Sequence, residues 1–416
     1  MLRNLLLALI FFSWTYGQAQ SILRGMVEDK ADASPLAYAQ LRLLQAGEGI
    51  ITNEEGRFSL SLDAATTRDT LVISYIGYQS VAMPLETINM ESEVVIQMES
   101  AGVTLDSVLI IPVTAEELLR QALAAVPDNY HSDPVMADAF YRELIQQNGD
   151  YVEISEAVLE VYKTAPGLEP NRNGQIRMVK GRSHSTPQKL ERMSFSVGAG
   201  HPEQIVGLPV VGHTVTYSFL DEDNFRLYEY EIIGTTTYEN RDVWIIEFDQ
   251  GRKLRKRLYK GRIYIDVKTM GLALVEYEIS PRGKKFRMSQ GFTVGERAQL
   301  AMAAAFGYKF RITDDRGRIA FTWHNGSWYM SHIWEEIDAY AEAPSIEEVR
   351  EVYMGMRREI VYSEIHFGEA ARPIPAEQRL EEGMTLPDQV GDYDANFWEN
   401  YQHLELSREL QAIFSQ

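Results

Sequence analysis

Residues 24–78 constrain the fold of this chain most, because short apolar runs alternate there with residues that favour turns. The runs start near residues 24, 34, 52 and 69, and turns are predicted at Gly25, Pro35, Gly56 and Gly77. In the segment Asn53-Glu-Glu-Gly56, the glycine supplies the positive φ that a tight hairpin connection requires. The pattern therefore predicts a series of short β-strands joined by turns.

The order of these runs resembles the carboxypeptidase regulatory-like domain, a transthyretin-like β-sandwich that is common in envelope proteins of Bacteroidota. The matching pieces are Gly25-x-Val27, Pro35-Leu-Ala-x-Ala39, Thr52-Asn-x-x-Gly56-x-Phe58 and Ser74-Tyr-Ile-Gly-Tyr78. The resemblance covers residues 21–100 and implies a seven-stranded-type β-sandwich that holds no zinc itself. The family takes its name from an accessory position beside a zinc peptidase.

The first 19 residues have the pattern of a secretory signal peptide. Arg3 gives a positive start, Leu5–Phe12 form a short apolar core, and Gly17-Gln-Ala19 places small residues before a predicted cleavage ahead of Gln20. A retained signal anchor is the alternative, although the apolar run is short for a membrane span. We therefore expect an exported protein of the periplasm, either free or held peripherally at the outer membrane.

Cysteine is absent from the sequence, which excludes disulfides, thiolate metal sites and cysteine nucleophiles. The chain carries 60 acidic against 40 basic residues, which gives a formal charge of −20. Such a protein is a poor partner for nucleic acid, because contact with phosphates requires clustered basic residues. We expect no nucleic-acid partner and no cofactor.

Changes of pattern along the chain predict five segments. They are a signal peptide (1–19), the β-sandwich (20–100), a connector with a helix (101–134), a β-rich domain (135–367), and an extended tail with a terminal helix (368–416). The connector helix is predicted to begin at Thr114, because Thr114 and Glu117 form a capping box ahead of apolar residues at helical spacing. The terminal helix is predicted to begin at Asp394 and to turn Trp398 and Tyr401 toward the core.

Alternating apolar and polar residues predict that the β-rich domain is a larger antiparallel β-sheet or open barrel with a few helices, so that the chain is mainly β. Strands are predicted at 139–145, 151–162, 227–233, 243–248, 261–267, 272–279, 306–312, 328–334 and 359–365. Residues 163–215 are rich in proline, glycine and asparagine and are predicted to form an irregular excursion or lid. The hairpin at 261–279 resembles strands of periplasmic lipoprotein carriers, which use a half-barrel with an apolar concave face.

The combination closest to a carboxypeptidase zinc site is His332-Ile-Trp-Glu335 with His366 downstream. The surrounding residues alternate as a strand does, and side chains at positions i and i+3 of a strand point to opposite faces. Shared coordination by His332 and Glu335 is therefore not expected. Serine-hydrolase elbows, phosphate loops and dinucleotide fingerprints are also missing.

Paired glutamates offer a second route to hydrolysis, since two carboxylates on adjacent strands can cleave glycosides. The candidates are Glu153, Glu156 and Glu160 on one predicted strand, Glu229 and Glu231 on another, and Glu276 and Glu278 on a third. We expect these glutamates to be solvated charges on the outer face of the sheet. The sequence therefore predicts that the protein is not an enzyme.

Two basic clusters interrupt the acidic background of the β-rich domain. The residues of this predicted patch are Arg252, Lys253, Arg255, Lys256, Arg257, Lys260, Arg262, Lys284 and Lys285. One interpretation is a solvated face whose charges pair with the many glutamates. The other is contact with an anionic membrane surface or an acidic partner, where each surface cation contributes about 1 kcal/mol.

The leading hypothesis is a non-catalytic exported envelope protein with a binding or scaffold role. Its sandwich would act as an adaptor, and its β-rich domain would hold an envelope protein partner or an apolar ligand. The alternative is a periplasmic lipid or lipoprotein carrier that uses a concave apolar sheet. A zinc or carboxylate hydrolase is the third reading and would require a convergent polar pocket with a perturbed carboxylate or histidine.

Overall fold

The computed structural model describes most of the chain outside the N-terminal segment. The described residues are 21–62, 66–103, 113–130, 133–163, 175–187, 200–206, 218–286, 304–305, 307, 309–342, 351–381, 383–401 and 404–414. The predicted signal peptide lies outside the described residues, as does most of the predicted excursion.

The N-terminal domain is a β-sandwich of seven strands. These are β1 (Ser21–Asp29), β2 (Gln40–Leu43), β3 (Gly49–Ile51), β4 (Arg57–Leu62), β5 (Thr70–Ser74), β6 (Val81–Pro84) and β7 (Val94–Met98). One sheet has the order β4-β1-β7 and the other β3-β2-β5-β6. Their facing side chains form a separate apolar core that includes Leu23, Phe58 and Ile73. The predicted sandwich is confirmed.

Two positions of the sandwich require glycine for different reasons. Gly56 has φ of +71° and closes a tight turn, where its N–H donates to the Asn53 carbonyl, but the predicted hairpin is wrong because this turn joins β3 and β4, which belong to different sheets. Gly25 lies inside β1, so the predicted turn there is wrong. A Cβ at position 25 would lie 2.3 Å from the carbonyl oxygen of Val94 and 2.8 Å from the Phe58 ring, so close packing requires the glycine.

The second domain contains one antiparallel sheet of ten strands. Its strands are β8 (Val135–Gln147), β9 (Asp150–Lys163), β10 (Gln175–Ser185), β11 (Tyr228–Tyr238), β12 (Arg241–Gln250), β13 (Tyr259–Asp266), β14 (Leu272–Ile279), β15 (Lys309–His324), β16 (Ser327–Glu342) and β17 (Glu351–His366). The order is β10-β9-β8-β17-β16-β15-β14-β13-β12-β11. Because β10 and β11 are its two edges and do not pair with each other, the sheet is open.

Strand β10 corrects the prediction of an irregular excursion over 163–215. It pairs antiparallel with β9 from Gln175 to Ser185 and forms an edge of the large sheet. Its sequence hides this role, because Arg177, Lys180 and Arg182 are only partly covered and a bulge between Met178 and Lys180 breaks the alternation. Edge strands often carry such charges and bulges.

The two faces of the large sheet are covered by different parts of the chain. We call the face that carries Ile263, Val275 and Ile333 the inner face. It packs in one apolar cluster with residues of the helices α1 (Ala115–Ala124), α2 (Val126–Asn129) and α3 (Pro202–Val206) and of the 3-10 segments Ser218–Leu220 and Glu222–Leu227. Helix α1 begins as predicted, since the Thr114 side chain accepts a hydrogen bond from the Glu117 N–H at 3.2 Å.

The opposite, outer face carries the sandwich and the part of the C-terminal tail around Trp398 and Leu404, whereas Leu386 of the tail packs in the inner-face cluster. The tail contains the short helices α4 (Leu386–Gln389), α5 (Ala395–Asn400) and α6 (Arg408–Phe414). Trp398 and Leu404 of the tail share an apolar cluster with Phe140 and Val361 of the sheet and with Ile51 of the sandwich. Three segments that are distant in sequence therefore meet on one face of the sheet.

No helix among the described residues is both long and apolar enough to cross a membrane.

Replacement of the tail tryptophan tests this packing. Trp398→Ala should lower the free energy of unfolding by roughly 3 kcal/mol, because a large buried ring is lost from the cluster. The matched control is Tyr393→Ala, since Tyr393 belongs to the same tail but is 62% exposed. Urea denaturation measures both variants, and equal stability of the two would show that the tail does not pack as described.

Candidate functional site

The strand register places one row of mostly charged side chains across the whole outer face. Each residue of the row is the register partner of the next, from β11 at one edge to β10 at the other. We call this row the outer ladder, and its members are Glu231, Glu247, Arg262, Glu276, Arg318, Trp334, Glu359, Arg142, Glu156 and Arg182. Directly opposed side chains lie about 5 Å apart, so opposite charges in such a row attract one another.

The half of the ladder nearest β10 is covered by the C-terminal tail. Arg142 Nε donates to Glu156 Oε1 at 2.7 Å, and Arg142 Nη2 donates to the carbonyl oxygen of Leu404 at 2.6 Å. Arg182 donates to the other carboxylate oxygen of Glu156 and lies under the Trp398 ring, 4.3 Å from its centre. Since Glu156 is only 1% exposed, the prediction that it is a solvated outer charge is wrong.

The centre of the ladder is covered by the sandwich. Tyr38 of the sandwich accepts a hydrogen bond from Arg357 and stacks on His332, with 5.6 Å between the ring centres. Arg357 also forms an ion pair with Glu54. Although burial opposes ionisation of Glu359, the charges of Arg357 and other neighbouring cationic groups lower its pKa to about 2. The buried carboxylate therefore stays charged at neutral pH.

The half of the ladder nearest β11 is open and lines a cavity of about 640 Å³. We call this cavity the outer groove. Its walls carry six acidic residues (Glu229, Glu231, Glu247, Asp249, Glu276 and Glu278) and six basic residues (Arg252, Lys260, Arg262, Arg282, Arg316 and Arg318). Several form close pairs, including Arg262 with Glu247 at 2.8 Å and Lys260 with Glu278 at 2.8 Å. The groove is therefore polar and nearly balanced in charge.

A smaller cavity of about 110 Å³ lies between the sandwich and the sheet. Strands β2 and β3 form one side, and the ends of β15, β16 and β17 form the other. Gln40 donates to Ser331 across it, and Arg42 lies 3.3 Å from His324. Burial and the charge of Arg42 lower the pKa of His324, so this histidine is neutral at pH 7.

The inner face holds a second, fully buried polar cluster. Arg358 donates twice to Glu335, at 2.8 and 2.6 Å, and its register partner on β8 is Glu143. Burial raises the pKa of Glu143 to about 7, although its carboxylate accepts hydrogen bonds from Tyr141 and from the backbone N–H of Gly200. Burial and the nearby Glu335 also raise the pKa of a further carboxyl, that of Asp315.

The residues of the predicted basic patch do not share one environment. Lys260 and Arg262 lie in the outer groove, each paired with a glutamate as the first interpretation expects. Lys253, Arg255, Lys256, Lys284 and Lys285 are exposed beside it. Arg257 is buried and donates to the carbonyl oxygens of Ile312 and Lys284, so it belongs to no surface patch.

The histidines tested for zinc are separated as the strand argument predicts. His332 faces Tyr38 on the outer face, whereas Glu335 pairs with Arg358 on the inner face. His366 lies between two half-buried carboxylates, with Nε2 3.2 Å from Asp138 and Nδ1 3.5 Å from Glu364. Asp138, Glu364 and His366 are close enough to hold a metal ion. The two carboxylates, however, contact different nitrogens of the His366 ring.

Residues 23–110 match the family model of the CarboxypepD_reg-like domain. The N-terminal β-sandwich is a CarboxypepD_reg-like domain. This match confirms the resemblance carried by the segments between Gly25 and Tyr78. In this chain the CarboxypepD_reg-like domain is fixed to the outer face of a large sheet through Tyr38 and Arg357. No curated protein has a sequence that matches the chain.

Solved structures show only distant similarity to the chain. The putative outer membrane lipoprotein-sorting protein domain from Vibrio parahaemolyticus is 9% identical, with 64% of this chain and 94% of that chain covered and a TM-score of 0.26. A DUF1329 family protein from Desulfovibrio piger is 10% identical, with 62% and 94% covered and a TM-score of 0.22. MucB in complex with MucA(peri) is 11% identical, with 61% and 98% covered and a TM-score of 0.19. TM-scores this low support no argument about this chain. The fold of the sheet is established by its own strands and register.

The two halves of the ladder should respond differently to the loss of an arginine. Arg142→Met should cost roughly 3 kcal/mol of unfolding free energy, because Oε1 of the buried Glu156 and the carbonyl oxygens of Leu404 and Glu405 lose their donor. Arg262→Met should cost less than about 1 kcal/mol, because the pair with Glu247 is solvent-exposed. Chemical denaturation of the two variants measures the difference, and similar costs would contradict the assignment of a covered and an open half.

The buried carboxyl of Glu143 predicts a specific pH dependence of stability. Its pKa is about 7 in the folded protein against an ordinary value of 4.5, so the folded state favours the protonated form. The resulting stability is fully present below pH 4.5 and is lost as the pH rises through about 7. Over that range the wild type should lose on the order of 3 kcal/mol more than Glu143→Gln, measured by denaturation at several pH values.

The exposed Glu86 provides the matched control for this experiment. Glu86→Gln should follow the wild-type pH profile, because its carboxylate is solvated in both states. If Glu143→Gln also follows that profile, the carboxyl of Glu143 does not titrate in the folded protein as described.

Proposed function

We propose that this chain is a non-catalytic, exported envelope protein that binds a partner protein in the outer groove. The observation that carries the proposal is the open half of the outer ladder, a groove of about 640 Å³ lined by charged side chains of both signs. Export is inferred from the signal-peptide pattern of residues 1–19. The sandwich acts as an adaptor that is fixed to the sheet and contacts Arg318 at the border of the groove.

The chemistry of the groove favours a polar polypeptide over a lipid. Six acidic and six basic side chains line its walls, and burying them under an acyl chain would remove their water without replacing it. The backbone and charged side chains of a polypeptide can supply matching hydrogen bonds and counter-charges. Complementary charges of this kind contribute chiefly to specificity and to the rate of association.

The sandwich contacts one residue that lines the groove and one edge strand of the sheet. Tyr75, which follows β5 of the sandwich, lies over the Arg318 guanidinium at 5.7 Å. The backbone N–H of Gly77 donates to the Thr237 carbonyl of β11, so the sandwich also contacts the edge strand. An adaptor domain docked in this way holds the shape of the groove before a partner arrives, which lowers the entropic cost of binding.

The inner-face carboxyls with raised pKa values, those of Glu143 and Asp315, are buried in structural hydrogen-bond networks. Both oxygens of Glu143 accept from the Gly200 N–H, and Tyr259 donates to Asp315 at 2.6 Å. Glu143 is 1% and Asp315 5% exposed, so both lie in the packed interior. Buried networks of this type specify packing, and their raised pKa values do not require a catalytic role.

Contact with an anionic membrane surface is a second candidate function. Lys253, Arg255 and Lys256 are exposed, and none forms an ion pair with a described residue. Sedimentation with phosphatidylglycerol vesicles, compared for the wild type and the double variant Lys253→Glu and Lys256→Glu, tests it. Vesicle binding that the double variant abolishes would support this candidate.

Site-specific photo-crosslinking in the native envelope tests the partner proposal. A photoreactive phenylalanine analogue is placed at Glu247 or Arg262 in the groove, or at the control position Glu377, which is exposed near the opposite edge of the sheet. We expect the same protein to crosslink at both groove positions and not at the control position. Mass spectrometry then identifies the partner and the crosslinked segment.

Other outcomes of this experiment would overturn the proposal. Equal crosslinking at all three positions would show that the groove has no special role. Crosslinks to lipid alone at the groove positions would favour the carrier alternative, and stoichiometric lipid in native mass spectra of protein purified from its own envelope would confirm it.

A further inference from the structure

Arg318 is the least satisfied cation of the outer ladder. It is 6% exposed and lines the outer groove, yet its buried Nε has no hydrogen-bond partner among the described residues. Its nearest carboxylate is Glu276, whose Oε1 lies 3.9 Å from Nε and thus beyond hydrogen-bond distance. By contrast, Arg262 lies 2.8 Å from Glu247 in the same row. A buried guanidinium normally has several acceptors, so this position lacks one or more.

Trp334 is the register partner of Arg318 on β16 and lines the same groove. Its indole Nε1 is buried and has no acceptor among the described residues. Two donors without acceptors are therefore adjacent on one face, where directly opposed side chains lie about 5 Å apart. Both donors lie where the ladder passes from its open half to the half that the sandwich covers.

Trp334 interrupts the row of charges at this point. From Arg262 the row continues with Glu276, Arg318, Trp334 and Glu359, so the position opposite Arg318 on β16 is a neutral ring that offers the guanidinium no carboxylate. Tyr75 covers one side of the guanidinium at 5.7 Å. Aromatic stacking of this kind fixes the plane of an arginine and leaves its edge donors available.

We infer that Arg318 and Trp334 form a subsite for a carboxylate of the partner, the side chain of an aspartate or glutamate on an extended segment. The inference rests on the proposed function and names the chemistry that the groove recognises. The carboxylate lies between Arg318 and Trp334 and accepts from both donors.

A carboxylate fits this position better than a phosphate group. The subsite offers one guanidinium and one indole N–H, and Glu276 lies beside it at 3.9 Å. A phosphate dianion would be repelled by Glu276 and would leave most of its acceptors without a donor. A carboxylate carries a single charge and two oxygens, which match the two donors.

The length and charges of the groove add a second feature to the segment. From Trp334 on β16 to Glu231 on β11 there are five strand spacings, or about 24 Å, which about seven residues of extended chain would span. Glu231 is exposed and forms no ion pair with a described residue. A segment with an acidic residue at one end and a basic residue about six positions away therefore matches both ends of the groove.

Peptide titration of the full-length protein tests the subsite. The probe is a capped heptapeptide with lysine at one end, glutamate at the other and serine or threonine between them. Its matched control replaces the glutamate with glutamine, and inorganic phosphate is titrated separately. The readout is the indole N–H resonance of Trp334, assigned by its loss in Trp334→Phe.

We expect the glutamate peptide to shift the Trp334 resonance saturably and to bind at least tenfold more tightly than the glutamine peptide. Arg318→Met should remove this preference, and Arg318→Lys should keep part of it because the charge remains. Lys253→Met, at an exposed cation that does not line the groove, should bind like the wild type. A thermal unfolding transition like that of the wild type verifies that each variant is folded.

Three results would overturn the inference. Equal binding of the glutamate and glutamine peptides would exclude a carboxylate subsite, and tighter binding of phosphate than of the glutamate peptide would assign a phosphate ligand instead. Failure of every peptide to shift Trp334 would exclude the subsite itself. The crosslinking experiment is independent of these results, since a partner can crosslink at Glu247 and Arg262 without any carboxylate at Arg318.

Discussion

The outer ladder is the constraint on which the rest of the structure depends. Charged side chains in the middle of a sheet must be either solvated or covered by groups that satisfy them, because an uncompensated buried charge costs several kcal/mol. Around Arg142 and Glu359 the cover comes from other parts of the same chain. The carbonyl of Leu404 and the hydroxyl of Tyr38 supply acceptors there. Toward β11 the ladder is left open and forms the outer groove.

This division explains why three segments form a single body. The sandwich has its own apolar core, but its Tyr38 and Glu54 are also partners of Arg357 on the sheet. The tail places Trp398 over Arg182 and adds apolar cover beside it. The CarboxypepD_reg-like domain therefore borders the binding surface that we propose, and its position determines where the covered half of the ladder ends.

The sequence predicted the elements of this fold better than their arrangement. Strand β14 was predicted from alternation and turn residues, which are local signals, and the seven-stranded sandwich from the resemblance of residues 21–100 to a known domain family. The ladder joins residues as distant as Arg182 and Glu231, and only the register of ten strands reveals it. Glu156 was expected to be solvated because local alternation cannot show that a tail of the chain returns to cover it. Arg257 was predicted to lie in the basic surface patch, but it is buried. Local sequence could not show this either, since its carbonyl partners come from Ile312 and Lys284, which are distant in sequence.

Carboxyl footprinting tests the central claim most directly, that one half of the ladder is covered and the other open. Carbodiimide coupling of glycine ethyl ester, followed by mass spectrometry of peptides, reports the accessibility of each glutamate in the folded chain. The account predicts rapid labelling of Glu231 and Glu247 in the groove and little labelling of Glu156 and Glu359, whose side chains are 1% and 5% exposed. Labelling of Glu156 and Glu359 at the rate of Glu247 would contradict it.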